Sequence, residues 1–324
     1  MSGLIDFGID WIVVFQRLSP ALDGIMNFFT FFGLVEAYMI LIPLVYWCIN
    51  RTWGFRVFLV LLLTDFVGYL FKLGLHQPRP YWVSDEVRLI GAEANDTYGI
   101  ISTHASNPPA VLGYLALKAR KGWLWIAAVI APLLISSSRM YLGVHFPHDI
   151  AAGWISGLAV LFLFVKFETA VAEKLRTAST AAQVVLGLAL GLAMAAISAL
   201  IAAGIANSPD PASYAEYSAG ARSLSHHITL AGAMAGSVIG YALMRRVASF
   251  RTDGSLAKKA LRYLVGMAGL VLVLYGLDFV FDQVQAGDVV EYTLRFIRYG
   301  LTTLWAMFVA PWLFLKLKLA EAGS

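Results

Sequence analysis

The chain is short of charge and of cysteine. Lys, Arg, Asp and Glu make up 14% of its 324 residues, against roughly 25% in an ordinary soluble domain. So few charged residues cannot build a water-facing surface over a chain that is 59% hydrophobic. The single cysteine, Cys48, excludes an internal disulfide and a cysteine-rich metal site. The chain also lacks a basic stripe with interleaved aromatics, so nucleic acid is not an expected partner.

The chain contains many long apolar runs, and its mean hydropathy is +0.72. A hydrocarbon core about 30 Å thick needs roughly 20 apolar residues per helix. Nine segments suit this length, near 27–49, 54–73, 104–118, 122–142, 148–166, 181–205, 226–244, 261–282 and 293–315. The sequence therefore predicts an all-α fold, a polytopic transmembrane helix bundle of about nine spans whose partner is the lipid bilayer.

Two further patterns bear on topology. Leu4 to Phe15 is apolar but too short to span, and it carries Asp6 and Asp10 on one helical face, which predicts an N-terminal interfacial helix. This segment lacks the basic start of a signal peptide. Most Lys and Arg in the loops fall on one side if the chain starts outside, which predicts a cytoplasmic C-terminus.

Polar residues gather at span ends that all open on the predicted outer side. Three groups stand there: Lys72, six residues, Arg79-Pro80; Ser102-Thr103-His104; and Ser138-Arg139, five residues, His145, three residues, Asp149. Ionisable groups at such positions are costly and usually functional. Taken singly, the cations are explained by snorkelling to the interface, and His145 with Asp149 by a structural i,i+4 pair. Their joint spacing favours one site.

These residue types suit phosphoryl transfer. Lys72, Arg79 and Arg139 supply fixed positive charge for phosphate oxygens. Two histidines provide a nucleophile and a proton donor, because imidazole titrates near neutrality. Asp149 can reach one ring nitrogen of His145 and leave the other free, and Pro147 suits the first turn of the helix that carries Asp149. Neither a metal nor another cofactor is expected.

The three motifs resemble the signature motifs of the type 2 phosphatidic acid phosphatase (PAP2) superfamily, over roughly residues 50–166. The resemblance implies a phosphohistidine mechanism in which His145 attacks phosphorus and Asp149 orients it. His104 would protonate the leaving oxygen and then activate water. The phosphate-binding residues that it implies are Lys72, Arg79, Ser102, Thr103 and Arg139.

The middle motif departs from the superfamily's usual Pro-Ser-Gly-His at two positions. Ile101 stands in place of proline, and Thr103 in place of glycine. Threonine at this place resembles the sphingosine-1-phosphate phosphatase branch. Isoleucine removes a rigid turn, so we expect Ile101 to affect rate more than reaction type.

The resemblance implies a metal-independent phosphoric monoester hydrolase that acts on a membrane lipid phosphate, such as phosphatidic acid or sphingosine-1-phosphate. Alternatives are an isoprenoid pyrophosphate phosphatase, a lipid phosphotransferase, or a non-catalytic lipid-binding or transport protein. The expected domains are a catalytic bundle (1–166), a charged linker (167–180) and an accessory transmembrane bundle (181–324). A bacterial inner membrane, with the site on the periplasmic side, is the expected location.

Overall fold

A computed structural model describes residues 2–91, 96–247, 249–284 and 287–323. The described residues form α-helices and two short π-helical segments, Val45–Ile49 and Trp305–Val309, and no strand. The α-helices are α1 (Ser2–Gln16), α2 (Asp23–Phe31), α3 (Val35–Leu44), α4 (Arg51–Leu75), α5 (Pro80–Val83), α6 (Thr103–Ala119), α7 (Gly122–Tyr141), α8 (Pro147–Thr177), α9 (Thr180–Ile205), α10 (Ala215–Ala221), α11 (Ser225–Val247), α12 (Leu256–Phe281), α13 (Asp288–Leu304) and α14 (Ala310–Lys316). The prediction of an all-α polytopic membrane protein is confirmed.

The described residues contain six or seven candidate spans, fewer than the nine predicted. Six helical segments of the described residues are long and apolar enough to cross a membrane: Arg51–Val83, Gly122–Tyr141, Pro147–Thr177, Thr180–Ile205, Ser225–Val247 and Leu256–Phe281. A seventh candidate is the pair Asp23–Phe31 and Val35–Ile49, bent by 48°. The predicted spans at 104–118 and 293–315 fall on α6 and on α13 with α14, which do not meet the same criteria. Nine spans, and an interfacial position for α1, stay predictions.

The predicted linker at 167–180 is mostly helical. α8 continues through Thr177 and α9 begins at Thr180, so the interruption is limited to Ala178 and Ser179. Residues 167–177 contain neither Gly nor Pro, and Ala, Glu, Lys, Leu and Arg make up most of the segment, which favours a continuous helix. As a domain boundary, this segment stays a prediction.

The chain divides into two compact units that are not contiguous in sequence. The first comprises Met1–Tyr38, Leu63–Lys166 and Ala199–Ser223, and the second Met39–Leu62, Phe167–Ser198 and Leu224–Ser324. All three polar motifs lie in the first unit. This unit also includes residues 199–223, which the sequence assigned to an accessory bundle.

Within the first unit, helix ends place the motif residues. α4 ends shortly before Pro78 and Pro80, because proline disfavours a helical conformation of the preceding residue, and this leaves Lys72 in its last turn. α8 begins at Pro147 with Asp149 in its first turn, as predicted. Between α4 and α6, the amide Nδ2 of Asn107 donates to Asp65 at 2.7 Å, which gives a carboxylate within a span a polar partner.

The second unit has its own aromatic core. Tyr46 and Trp47, in the first π-helical segment, are almost fully buried. They donate hydrogen bonds of 2.9 Å to the carbonyl oxygens of Met307 and Ala306 in the second π-helical segment. A π-helical turn leaves carbonyl groups without their usual α-helical partner, so each such bond satisfies a backbone acceptor.

Candidate active site

The ends of four helices bring the three motifs together. Lys72 lies in the last turn of α4, Ser102 directly precedes the first residue of α6, Arg139 lies in the last turn of α7 and Asp149 in the first turn of α8. Arg79, Lys72 and Arg139 all lie close enough to act electrostatically on both His104 and His145. Residues up to 77 positions apart in sequence therefore form one charged cluster.

His145 lies in the tight connection between α7 and α8. Gly143 adopts a φ of +78°, a conformation that glycine accepts without strain, and the next amide, of Val144, donates to the carbonyl of Arg139 at 3.1 Å. Val144 and Phe146 on either side of the histidine are buried. These anchors fix the imidazole between two buried neighbours.

Both ring nitrogens of His145 have polar neighbours. Nδ1 lies 3.3 Å from Oδ2 of Asp149, and Nε2 lies 3.2 Å from Nη1 of Arg79. A guanidinium has only donors, so Nε2 must be the acceptor and Nδ1 must carry the proton. The same Asp149 oxygen accepts the amide N–H of Phe146 at 2.9 Å. This arrangement fixes the tautomer with a lone pair on Nε2.

The charge state of His145 follows from its surroundings. Burial lowers the pKa of His145, and the nearby Arg79, Lys72 and Arg139 lower it further. The imidazole is therefore neutral at neutral pH, which is the form that a nucleophile requires.

Backbone carbonyls of residues 97–99 hold the two cations of the first motif. Nζ of Lys72 donates to the carbonyls of Tyr98 (2.6 Å) and Gly99 (3.1 Å). Nε and Nη2 of Arg79 donate to the carbonyl (2.6 Å) and hydroxyl (2.8 Å) of Thr97. Both cations are almost fully buried, and these acceptors compensate for the loss of water.

The guanidinium of Arg139 makes fewer hydrogen bonds than that of Arg79. Its Nη1 donates to the hydroxyl of Thr30 at 2.6 Å, and its Nε has no partner among the described residues. Ser102 Oγ and His104 Nε2 are likewise buried with no hydrogen bond in the described part of the chain. Unsatisfied buried polar atoms are rare in folded proteins. Four such atoms in the described ranges belong to predicted site residues. Arg139 Nε and Ser102 Oγ can donate to an anion, His104 Nε2 can carry a proton, and the fourth is Oδ1 of Asp149.

α6 and α8 approach closely where their first turns carry site residues. The amide of Ser102 donates to the carbonyl of Asp149 at 3.3 Å. A Cβ on Gly153 would lie 2.7 Å from the Ser102 carbonyl, and one on Gly157 would overlap the backbone of Ser106. Two glycines four residues apart thus permit backbone contact between the helices, which fixes the His104 turn beside Asp149.

The two departures in the middle motif have clear surroundings. Ile101 is buried, with 5% of its surface exposed. In the absence of proline, the hydrogen bond from the amide N–H of Ser102 to the carbonyl of Asp149 fixes the turn. Thr103 begins α6, and its Cγ2 would lie 2.9 Å from a Cβ on Gly68. A small residue in α4 therefore makes room for threonine.

Sequence reasoning missed the residues that hold the cations. Thr30 and Thr97 are isolated threonines with no motif around them, and the carbonyls of residues 97–99 have no side-chain signature. The close packing of α6 against α8, by contrast, has a sequence signal in Gly153 and Gly157, because small residues four apart on a span mark close helix packing.

Further polar residues have partners beside the site and in the second unit. His148 is half-buried next to Asp149, 3.5 Å from its Oδ1. In the second unit, Arg298 forms an ion pair with Asp278, and Arg295 donates to the hydroxyl of Thr229. No group of three or more His, Cys, Asp or Glu residues suited to a metal occurs in the described ranges.

Comparison with known proteins identifies the family. The PAP2 superfamily matches residues 53–172, and the transmembrane extension of PAP2 superfamily phosphatases matches residues 228–322. The chain is 30% identical over 149 residues to an undecaprenyl-diphosphatase of Sulfolobus acidocaldarius, covering 46% of this chain and 71% of that one. It is 29% identical to undecaprenyl-diphosphatase BcrC of Bacillus subtilis, over 46% and 76% of the two chains. It is 24% identical to glucose-6-phosphatase 3 of Bos taurus, over 50% and 54%.

No solved structure matches the chain significantly. The fold and the site define an integral membrane phosphatase. The chain belongs to the PAP2 superfamily, and the predicted class of enzyme, a phosphoric monoester hydrolase, is confirmed.

Proposed function

We propose that this protein removes the terminal phosphate from a membrane lipid phosphate through a phosphohistidine on His145. The observation that carries the proposal is the pair of contacts at its ring, Asp149 at Nδ1 and Arg79 at Nε2. They leave the proton on Nδ1 and the lone pair on Nε2, beside three cations suited to a phosphate group.

The reaction takes two displacements. In the first, the Nε2 lone pair of His145 bonds to phosphorus while the bond to the lipid oxygen breaks, and that oxygen takes a proton from His104. In the second, the neutral His104 takes a proton from water, whose oxygen bonds to phosphorus as the bond to Nε2 breaks. The products are the lipid alcohol and phosphate, and both histidines regain their starting protonation. Asp149 stabilises the positive ring of the intermediate.

Phosphate binding falls to the remaining motif residues. Lys72, Arg79 and Arg139 neutralise the oxygens, and Ser102 Oγ donates a further hydrogen bond. The backbone N–H groups of Thr103 and His104, the first two residues of α6, have no intrahelical acceptors and favour an anion at this helix end. These groups together compensate the charge that spreads over the phosphoryl oxygens.

The substrate we favour is a lipid phosphomonoester such as phosphatidic acid or sphingosine-1-phosphate. The supporting observation is the depth of the site, because its residues lie in the end turns of long apolar helices. A lipid can present its phosphate there while its tails stay in the bilayer. A soluble phosphate ester lacks that anchor, so we expect it to be a poor substrate.

A second candidate is an isoprenoid pyrophosphate such as undecaprenyl pyrophosphate. It is supported by the two relatives named as undecaprenyl-diphosphatases, of which the chain covers 71% and 76%. The same catalytic residues serve this substrate. They would also serve a phosphotransferase, in which the phosphoryl group passes to an acceptor other than water.

We also propose a topology. The site faces the periplasmic side of a bacterial inner membrane and the C-terminus is cytoplasmic, on the basis of the Lys and Arg bias of the loops. α6 and the continuous segment from α13 to α14 complete nine spans, and α1 lies at the interface.

Phosphate release by the purified protein with EDTA tests the function. Phosphatidic acid, lysophosphatidic acid, sphingosine-1-phosphate, phosphatidylglycerol phosphate and undecaprenyl pyrophosphate are compared, each with wild type, His145→Ala and His226→Ala. We expect EDTA-resistant release that His145→Ala abolishes and His226→Ala retains. Quenching in alkaline detergent with a lipid radiolabelled in its phosphate should trap a protein adduct that is stable to base, labile to acid and lost in His145→Ala. Release without such an adduct would reject the phosphohistidine, and lipid binding without release would favour a non-catalytic binder.

A further inference from the structure

The connection between α9 and α11, residues 206–223, belongs to the same compact unit as the motifs. It lies outside both matched regions, 53–172 and 228–322, so membership of the superfamily assigns it no role. We call it the 206–223 connection. It contains α10, four serines and the tyrosines Tyr214 and Tyr217.

Asp210 is the centre of a hydrogen-bond network in this connection. Its Oδ2 accepts bonds from the hydroxyl of Tyr98 at 2.8 Å and from Nε of Arg222 at 2.9 Å. Arg222 is fixed in turn by the carbonyls of Ser208 (2.6 Å) and Ile205 (3.2 Å). Burial opposes ionisation of Asp210, but the bonds from Arg222 and Tyr98 outweigh it and lower the pKa of Asp210. The carboxylate is therefore charged and firmly held.

Tyr98 connects this network to the candidate site through its two ends. Its hydroxyl reaches Asp210, while its backbone carbonyl accepts the 2.6 Å bond from Lys72. The ring between them is fully buried, 6.0 Å from the Trp82 ring and 5.3 Å from the His76 ring. Residues 97–99 are not helical, so the anchored side chain of Tyr98 fixes where its carbonyl points.

The direction of that carbonyl matters because of the geometry of an ammonium group. Lys72 has three N–H donors, and the carbonyls of Tyr98 and Gly99 take two of them. The tetrahedral nitrogen leaves one donor, whose direction is set by the other two. A shift of Tyr98 therefore turns the remaining N–H.

We propose that Asp210 and Arg222 are positioning residues for phosphate binding, which act through Tyr98 to aim the remaining N–H of Lys72 at a phosphate oxygen. The inference rests on the proposed function, in which Lys72 binds the phosphate. Neither Asp210 nor Arg222 touches the substrate. In this chain, residues outside the matched domain thus complete its anion site.

The test compares Tyr98→Phe and Asp210→Asn with Tyr217→Phe. Tyr217 belongs to the same connection and its ring stacks on Trp82 at 5.7 Å, so its variant loses a hydroxyl without disturbing Asp210. KM and kcat for the preferred lipid phosphate and the inhibition constant of inorganic phosphate are measured in the full-length protein. For Tyr98→Phe and Asp210→Asn we expect both KM and the inhibition constant to rise about tenfold, the scale of one hydrogen bond to a charged group.

Further readouts separate positioning from a general structural role. We expect kcat and its pH profile to stay nearly unchanged, the double variant to match the single ones, and Tyr217→Phe to resemble wild type. Unchanged KM and phosphate inhibition in an active enzyme would overturn the inference. A lower kcat together with a lower thermal midpoint in both Tyr98→Phe and Asp210→Asn would also overturn it. If the wild type hydrolyses no lipid, the proposed function fails. The positioning role is then tested by calorimetric binding of inorganic phosphate. Equal affinity of wild type and Asp210→Asn for phosphate would overturn the inference.

Discussion

Arg79 donates through Nη1 to Nε2 of His145 across 3.2 Å, at the nitrogen that we propose attacks phosphorus. Attack needs the lone pair that this bond engages. Arg79 must therefore transfer its Nη1 hydrogen bond from the ring to a phosphate oxygen as the substrate binds. The guanidinium thus orients the nucleophile first and the phosphate afterwards.

Replacing Arg79 by lysine should separate charge from geometry. Arg79→Lys keeps the charge but loses the bonds to Thr97, to Val144 and to His145 that a planar guanidinium makes. We expect kcat/KM to fall by about a hundredfold or more, measured on protein that elutes as a single species in size exclusion. Arg251→Lys, at an exposed pair with Asp253, serves as the control. A fall of less than threefold would contradict the role assigned to Arg79.

The charge of Asp149 should matter beyond its hydrogen bonds. Asp149→Asn can still accept from Phe146 and His145 but no longer stabilises a positively charged phosphohistidine. We expect kcat to fall by about a hundredfold, the scale of a buried charge interaction of roughly 3 kcal/mol. Steady-state kinetics beside the exposed Asp282→Asn measure the effect. Equal kcat in the two variants would show that the negative charge is not needed.

The fall of kcat/KM on the acidic side of the pH profile should occur at low pH. Since burial and then Arg79 and Lys72 lower the pKa of His145, Nε2 keeps its lone pair below the ordinary histidine range of about 6.5. The expected kcat/KM is level as pH falls to that range and declines only further into acid, when His145 gains a proton. The profile is corrected for ionisation of the substrate phosphate, followed by phosphorus NMR. A corrected limb at or above 6.5 would mean that His145 is not held neutral.

The close approach of α6 and α8 should be sensitive to one methyl group. At Gly157 a Cβ would overlap the Ser106 backbone, whereas at Gly204 it meets nothing within 4 Å. Gly157→Ala should therefore cost roughly 1–3 kcal/mol of stability by overpacking and lower kcat, because His104 moves away from Asp149. Gly204→Ala should be neutral or stabilise by less than about 1 kcal/mol. Thermal midpoints in detergent and phosphate release compare the pair, and matching midpoints would refute the packing role of Gly157.

Much of the fold was predictable because membrane spans follow from local composition. Apolar length gave most helices to within a few residues, and Pro147 marked the start of α8. The charged residues at 167–177 favour a linker in the sequence, whereas in the structure α8 continues through them. Ala, Glu and Lys form helices well, so charge alone does not interrupt one.

The site was predictable to the extent that it consists of side chains at fixed spacings. Lys72, His104 and Asp149 were all selected from such spacings, and the structure brings their motifs together. The partners Thr30, Thr97 and Asp210 were not selected, because their contacts depend on tertiary packing between segments distant in sequence. The catalytic and binding roles themselves stay predictions.

Most acceptors that hold Lys72 and Arg79 are main-chain oxygens, of residues 97–99 and of Val144. Every amino acid carries such an oxygen, so alanine scanning removes none of these acceptors, although at Tyr98 it removes the side chain that we propose aims one of them. Replacing peptide bonds by esters, which weakens a carbonyl acceptor without changing a side chain, is the kind of substitution that would expose them. A change of side chain at Val144 therefore keeps the acceptor of Arg79 Nη1, whereas a change at Thr97 keeps the carbonyl acceptor and loses the hydroxyl. A cation site built mostly from peptide oxygens is specified by the path of the backbone more than by a pattern of letters.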